Sequence, residues 1–195
     1  EVASTVTLLF VSGVTDSLSE DEYKNLERYV DRGGNLFLSQ SPIDAQLSTQ
    51  RGTVIQTNLL DILDKYGVSV EENLVLDEAC NNITVTQQRG IFRMNSAVPY
   101  PFFPIIRSFG NNVMVQGLEQ VHTLFPTEIT WDTTDSMSMV EPLFHTSDRS
   151  STMAGFYNLS PIDNPAFKTL TENSKVVAVY STSQTETATS QLVYV

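Results

Sequence analysis

The sequence is short of the residues on which catalytic, metal and nucleic-acid chemistry usually rests. One cysteine, Cys80, is present, so no internal disulfide can close. Basic residues are few: 11 Lys and Arg stand against 23 Asp and Glu, a formal net charge of -12. A nucleic-acid partner needs a basic footprint to displace counterions from phosphates, so nucleic acid is excluded. A direct grip on anionic lipid is disfavoured for the same reason. No apolar run reaches the roughly 18 residues that mark a membrane-crossing helix. Phosphate-binding glycine patterns are missing too. The pair Gly33-Gly34 has neither a G-x-G-x-x-G nor a P-loop around it and reads as a helix stop. No D-x-D-x-D-G run offers a calcium loop.

What remains is the composition of a folded protein. Hydrophobic residues make up 41% and charged residues 17%, which argues against disorder. Ser, Thr, Asn and Gln fill the gap, a surface common in proteins outside the cytoplasm. The length of 195 residues suits one sizeable domain. The chain opens on a strand-like run and ends on Gln191-Leu192-Val193-Tyr194-Val195, so it reads as the soluble part of a longer polypeptide.

The first third carries the clearest pattern. Val6 to Val11 is a near-continuous apolar run, read as a strand buried on both faces of a parallel sheet. Ser19-Glu20-Asp21-Glu22 is a capping box, and Tyr23, Leu26 and Val30 follow at helical spacing. Asn35 to Ser39 is a second strand. The β-α-β unit predicts an α/β fold with a parallel crossover. Residues 41–53 read as a loop. Leu59, Ile62, Leu63 and Tyr66 mark another helix, and Leu74-Val75-Leu76 a short strand. From Cys80 to about Val140 the chain turns β-rich, with strands predicted at 83–86, 113–115 and 128–131. Ser174 to Tyr180 is a strand, and 181–190 a polar loop before the last one. The expected organisation is an α/β core over 1–80, a β-rich region over 81–170 completing the same domain, and core strands over 171–195.

Catalytic candidates fail on their surroundings. Cys80 follows Asp77 and Glu78, which disfavour the thiolate a nucleophile needs. Ser39 and Ser41 follow a strand, but Gln40 and Pro42 stand where a nucleophile elbow needs small residues. His122 and His145 read as surface or satisfied side chains. No cofactor is implied, and a carboxylate pair distant along the chain stays open. Two segments stand out for binding. In Tyr100-Pro101-Phe102-Phe103-Pro104-Ile105-Ile106-Arg107, prolines stiffen a run whose aromatics either stack on a glycan or partner, or plug the core. Tyr100, Phe102, Phe103 and Arg107 are its site residues. In Thr146-Ser147-Asp148-Arg149-Ser150, the hydroxyls and Arg149 either hold a polar ligand or satisfy their own turn. Thr146, Ser147, Arg149 and Ser150 are its site residues.

Four segments also carry a resemblance. They are Leu18-Ser19-Glu20-Asp21-Glu22 through Gly33-Gly34 to Leu36-Phe37-Leu38; Leu59 through Tyr66-Gly67-Val68 to Asn73-Leu74-Val75-Leu76-Asp77; Tyr100 to Pro104; and Pro142-Leu143 with Thr146 to Ser150. In this order they resemble the extracytoplasmic auxiliary proteins of ABC transport systems, including the gliding-motility-associated GldG-like proteins. The resemblance implies a flavodoxin-like or glutamine-amidotransferase-like parallel sheet, without the catalytic cysteine of that enzyme group. It implies a non-catalytic binding or assembly role on the periplasmic side. The partners would be an ABC permease and ATPase, and any membrane tether would lie outside these residues. It transfers no residue-level site. A glycan-binding module and a degenerate amidotransferase-like hydrolase are the competing expectations.

Overall fold

The computed structural model describes residues 1–89, 92–132, 139–185 and 187–195. The capping box forms as read. The Ser19 hydroxyl accepts the Glu22 amide at 3.3 Å, and the Glu22 carboxylate accepts the Ser19 amide at 2.9 Å. The helix Glu20–Asp31 buries Leu26, Tyr29 and Val30. It ends in a Schellman closure, with the Gly33 amide on the Val30 carbonyl at 2.8 Å and the Gly34 amide on the Tyr29 carbonyl at 2.9 Å. Gly33 takes φ 89°, where a Cβ is penalised.

The helix joins two parallel strands, Leu8–Ser12 and Asn35–Ser39, paired in register from Leu8↔Asn35 to Ser12↔Ser39. The last strand, Thr189–Tyr194, lies parallel on the other side of Asn35–Ser39. Beyond it come Val176–Gln184, Met139–His145 and Ser108–Phe109, all antiparallel to their neighbours. One face of this six-stranded sheet packs on the helix and on the 3-10 segment Leu59–Tyr66, around Leu36, Leu38, Ile62, Leu63, Val179 and Leu192.

This corrects the expected fold class. A flavodoxin-like core returns the chain through a helix at each parallel crossover and covers both sheet faces. Here sixteen strands stand against one α-helix among the described residues. After Gly67 the sequence holds no run at helical spacing, so the strands close by antiparallel pairing into several small sheets. The first strand is corrected with it. Leu9 and Val11 face the core, but Leu8 is 58% and Phe10 61% exposed. As the outermost strand, with a helix on one side only, it buries one face rather than two.

Other boundaries shift for local reasons. Residues 41–53 include the antiparallel strands Ile43–Gln46 and Arg51–Val54. The expected strand at 113–115 is a 3-10 turn, because the Asn112 side chain accepts the Met114 amide at 3.0 Å. The expected loop at 181–190 shrinks, since strands run to Gln184 and resume at Thr189; Glu186 lies outside the described residues. The β-rich stretch to Val140 likewise includes 90–91 and 133–138, outside the described residues.

A second core forms around Ile43, Leu74, Leu76, Tyr100, Phe102 and Tyr157. The fully buried strand Asn73–Asp77 runs antiparallel to Ser150–Ala154. The long strands Cys80–Arg89 and Phe92–Ile106 pair antiparallel. Three prolines fit in the second of them because the register shifts between Cys80 and Asn82, opposite Pro104 and Pro99.

Buried tyrosines set an alkaline limit. Tyr66 is fully buried with its hydroxyl 2.5 Å from Ser190 Oγ, and burial pushes its pKa up to about 12 despite that bond. Burial raises Tyr100 and Tyr194 as well. A pKa raised in the folded state stabilises fully below the unfolded value of about 10, and that stability is lost as pH climbs through the folded value. Phenolate absorbance should therefore lag for these three and rise only as circular dichroism reports unfolding. Ionisation of all seven tyrosines near pH ~10 with the fold intact would refute this.

Candidate functional site

The three parallel strands point their carboxyl ends the same way, and a cleft opens there. In open sheets with parallel strands this is where ligands bind. Gly13, at φ 67°, turns the chain out of the first strand. Gln40 directly follows the second. Its side chain is buried, accepts the Val14 amide at 2.8 Å, and donates to the Val14 and Ser41 carbonyls at 2.9 and 3.0 Å. One amide side chain thus holds both loops at the cleft floor. Tyr194, from the third strand, donates its hydroxyl to the Gln40 carbonyl.

Residues 121–127 form the opposite wall. The Thr123 amide bonds the Pro104 carbonyl at 3.0 Å and the Phe125 amide the Phe102 carbonyl at 2.8 Å. Phe125 sits at φ 50°, in the left-handed region that a bulky residue rarely enters. Held backbone strain of this kind clusters at functional sites. Its ring packs edge-on against Phe103 at 5.1 Å, while Leu124 is 66% exposed. Leu124 and Phe125 border both lobes of the cleft. The smaller lobe, about 270 Å³, adds Gly13, Thr15, Ser39, Ser41 and Asp44. The larger, about 380 Å³, adds His122, Thr127 and Val195.

Several polar groups lining the cleft are already hydrogen-bonded. Ser41 Oγ accepts the Ile43 amide at 3.1 Å. Asp44 accepts the Gln46 side-chain amide at 2.8 Å. His122 places Nδ1 2.9 Å from Asn81 Oδ1 and Nε2 3.1 Å from Gln120 Nε2, so Nδ1 carries the proton and Nε2 accepts. Among the described residues no cluster of three or more His, Cys, Asp or Glu is placed to hold a metal. Cys80 lies elsewhere, and burial, followed by Asp77 and Glu78, pushes its thiol up despite a bond to the Tyr100 backbone.

The sequence-predicted residues fall in other places. Tyr100 and Phe102 are fully buried, and Tyr100 donates to the Leu159 carbonyl at 2.8 Å. Phe103 packs edge-on to Tyr100 at 4.9 Å. These rings fill the second core, which leaves Tyr100 and Phe102 no face for a glycan. Arg107 is exposed, 3.5 Å from Gln120 Oε1. The second segment is held by the buried carboxylate of Asp77, which accepts the Ser147 amide and hydroxyl, each at 2.6 Å, and the Ala79 amide at 2.8 Å. Thr146 Oγ1 accepts the Lys175 amide at 2.7 Å, and Ser150 Oγ donates to the Asn173 carbonyl at 2.8 Å. Arg149 pairs with Glu78 at 2.7 Å. The two segments meet in a groove of about 350 Å³, through Pro101 on one side and Arg149 on the other.

From sequence, Ser39 and Ser41 stand out only as nucleophile candidates and Gln40 only as an obstacle to an elbow, while Gly13, Leu124 and Phe125 are not among the residues the sequence points to. The signal available was positional: polar residues directly after parallel strands. Residues 121–127 carry no such signal, since their place at the cleft follows from long-range bonds to the Phe102 and Pro104 carbonyls.

The family described as ABC-type uncharacterized transport system matches residues 1–192. An uncharacterized protein of Borreliella burgdorferi is 23% identical over an alignment 178 residues long that covers 86% of this chain and 33% of that protein. The chain therefore spans a minor part of that relative's length. The solved "mmIFT52 N-terminal domain" superposes with a TM-score of 0.58 at 13% identity, over 98% of this chain and 66% of that one. At that identity the likeness is one of fold.

Proposed function

The chain belongs to the ABC-type uncharacterized transport system family of auxiliary proteins, and from that premise we propose a non-catalytic binding and assembly domain that works beside an ABC permease and ATPase. The narrower form of this reading puts the domain outside the cytoplasm, tethered by segments beyond these residues, as in GldG-like systems. The observation that carries it is the cleft at the carboxyl ends of the parallel strands, whose floor is fixed by Gln40 and whose wall carries the exposed Leu124. The polar side chains around it support binding rather than turnover, because Ser41 and His122 are engaged by the Ile43 amide and by Asn81 and Gln120.

The test uses the full-length protein, tagged and purified with mild detergent from its native membranes. The permease and ATPase of the system should co-purify. Leu124→Asp should lower their recovery several-fold at unchanged melting temperature, since Leu124 is mostly exposed. Recovery of neither subunit, even after cross-linking, would remove the assembly reading.

A further inference from the structure

The paired strands Cys80–Arg89 and Phe92–Ile106 form a ribbon that outruns the second core. Beyond the register shift at its base, pairing continues from Asn82↔Pro99 to Arg89↔Phe92. Ile83 packs against the second core. Val85, Met94 and Val98 lie on the same face by register, yet they join no hydrophobic cluster among the described residues. Met94 is 56% exposed. Cys80–Arg89 is also the last strand of its sheet. Phe92–Ile106 takes one edge, and among the described residues no strand pairs with the other. Residues 80–88 carry no charge and no proline, the devices that keep natural edge strands from pairing. Charge along the chain is uneven as well. Residues 79–118 hold three arginines, Arg89, Arg93 and Arg107, and no Asp or Glu, in a chain of net charge -12. Two of the three stand at the far end of the ribbon, where Arg93 is exposed opposite Gln88.

We propose that the outer edge of Cys80–Arg89 takes an extended acidic segment of a partner protein as a further strand. A lone two-stranded ribbon is marginal in water, and a third strand supplies the support this one lacks beyond Ile83. The partner's backbone continues the ladder, and its alternate side chains cover the apolar face at Val85. Arg93 lies one strand in from the edge, about 4.8 Å, within reach of a carboxylate on the added strand. The same chemistry decides against other occupants. Lipid headgroups cannot continue a ladder of amide and carbonyl groups, and an anionic membrane repels the acidic body of the molecule. The ribbon of a second copy has no carboxylate to offer the arginines, and two chains of -12 repel. This inference rests on the ribbon and its charge and does not depend on the proposed function.

A photo-cross-linking amino acid placed at Thr84, an exposed position on the ribbon, tests it in the full-length protein in its native cells. Irradiation should join it to one protein, and mass spectrometry should map the join to a segment with more Asp and Glu than Lys and Arg. Arg93→Glu should cut the yield several-fold and Arg93→Lys should not, both at the parental melting temperature, since Arg93 is exposed. A synthetic peptide of the mapped segment should then slow amide exchange over residues 82–87 roughly 10-fold or more. No adduct, adducts spread over many proteins, a join to lipid or to a second copy, or a join to a neutral or basic segment overturns the inference. A yield that Arg93→Glu leaves unchanged, or that both variants lower equally, overturns it too. So does amide exchange indifferent to the peptide, which would mean contact without strand addition.

Discussion

Asp77→Ala is expected to cost about 2–3 kcal/mol, because it leaves three part-buried donors without their acceptor. The carboxylate is fully buried and takes the Ala79 amide, the Ser147 amide and the Ser147 hydroxyl at 2.6–2.8 Å. The loss reaches beyond one residue, because Asp77 closes the strand Asn73–Asp77 against the turn that leads into Ser150–Ala154. Thr146 in that turn also receives the Lys175 amide, and its carbonyl receives the Ser174 hydroxyl at 2.8 Å. Loosening the turn should therefore loosen the entry to Val176–Gln184 in the main sheet. Urea unfolding should show a lower midpoint at unchanged slope. Asp77→Asn should fall between, since one oxygen still accepts while the new NH₂ faces a donor. A cost below about 1 kcal/mol for the alanine variant would mean the network is not the tie described.

The same network shows what the sequence could and could not carry. Thr146 to Ser150 is legible as a hydroxyl-rich turn, and Asp77 as the acidic end of a strand. Nothing local links residues 70 apart. The resemblance ties the same two segments to one family, and family membership follows from the match over residues 1–192. The helix Glu20–Asp31 was readable to its cap and stop because every bond that fixes its ends lies within a few residues. The sheet was not. Leu8–Ser12 has the same apolar run whether it lies at the centre of a parallel sheet or at its edge, and only the elements packed on each face decide. Val113-Met114-Val115 is β-branched at two of three positions, but the Asn112 cap decides its conformation. At the cleft, Ser39 to Ser41 could be placed at a strand end, whereas the wall at Leu124 and Phe125 depends on bonds to a strand some twenty residues away.

Gly34→Ala should be the most damaging small substitution in the first third of the chain, although Gly33 has the more unusual backbone. A Cβ on Gly34 would lie 2.3 Å from Tyr29 Cζ and within 2.5 Å of two further ring carbons. The Tyr29 ring cannot step aside. It is fully buried, its hydroxyl donates to the Asn35 carbonyl at 3.0 Å, and the Arg32 guanidinium lies 5.3 Å from its centre. The Gly34 carbonyl is also held, by the Ser190 hydroxyl, so the backbone has little room to move. Overpacking at such a site costs about 2–4 kcal/mol. Gly33→Ala meets a milder obstacle. Its Cβ would lie 3.2 Å from the Ala188 Cβ, and its left-handed φ adds about 1 kcal/mol. The two costs have different origins, and a double-mutant cycle separates them. In a Tyr29→Leu background the ring is gone, so Gly34→Ala should become nearly neutral while the cost of Gly33→Ala persists. A Gly34→Ala penalty unchanged by Tyr29→Leu would place the strain in the backbone and contradict the clash.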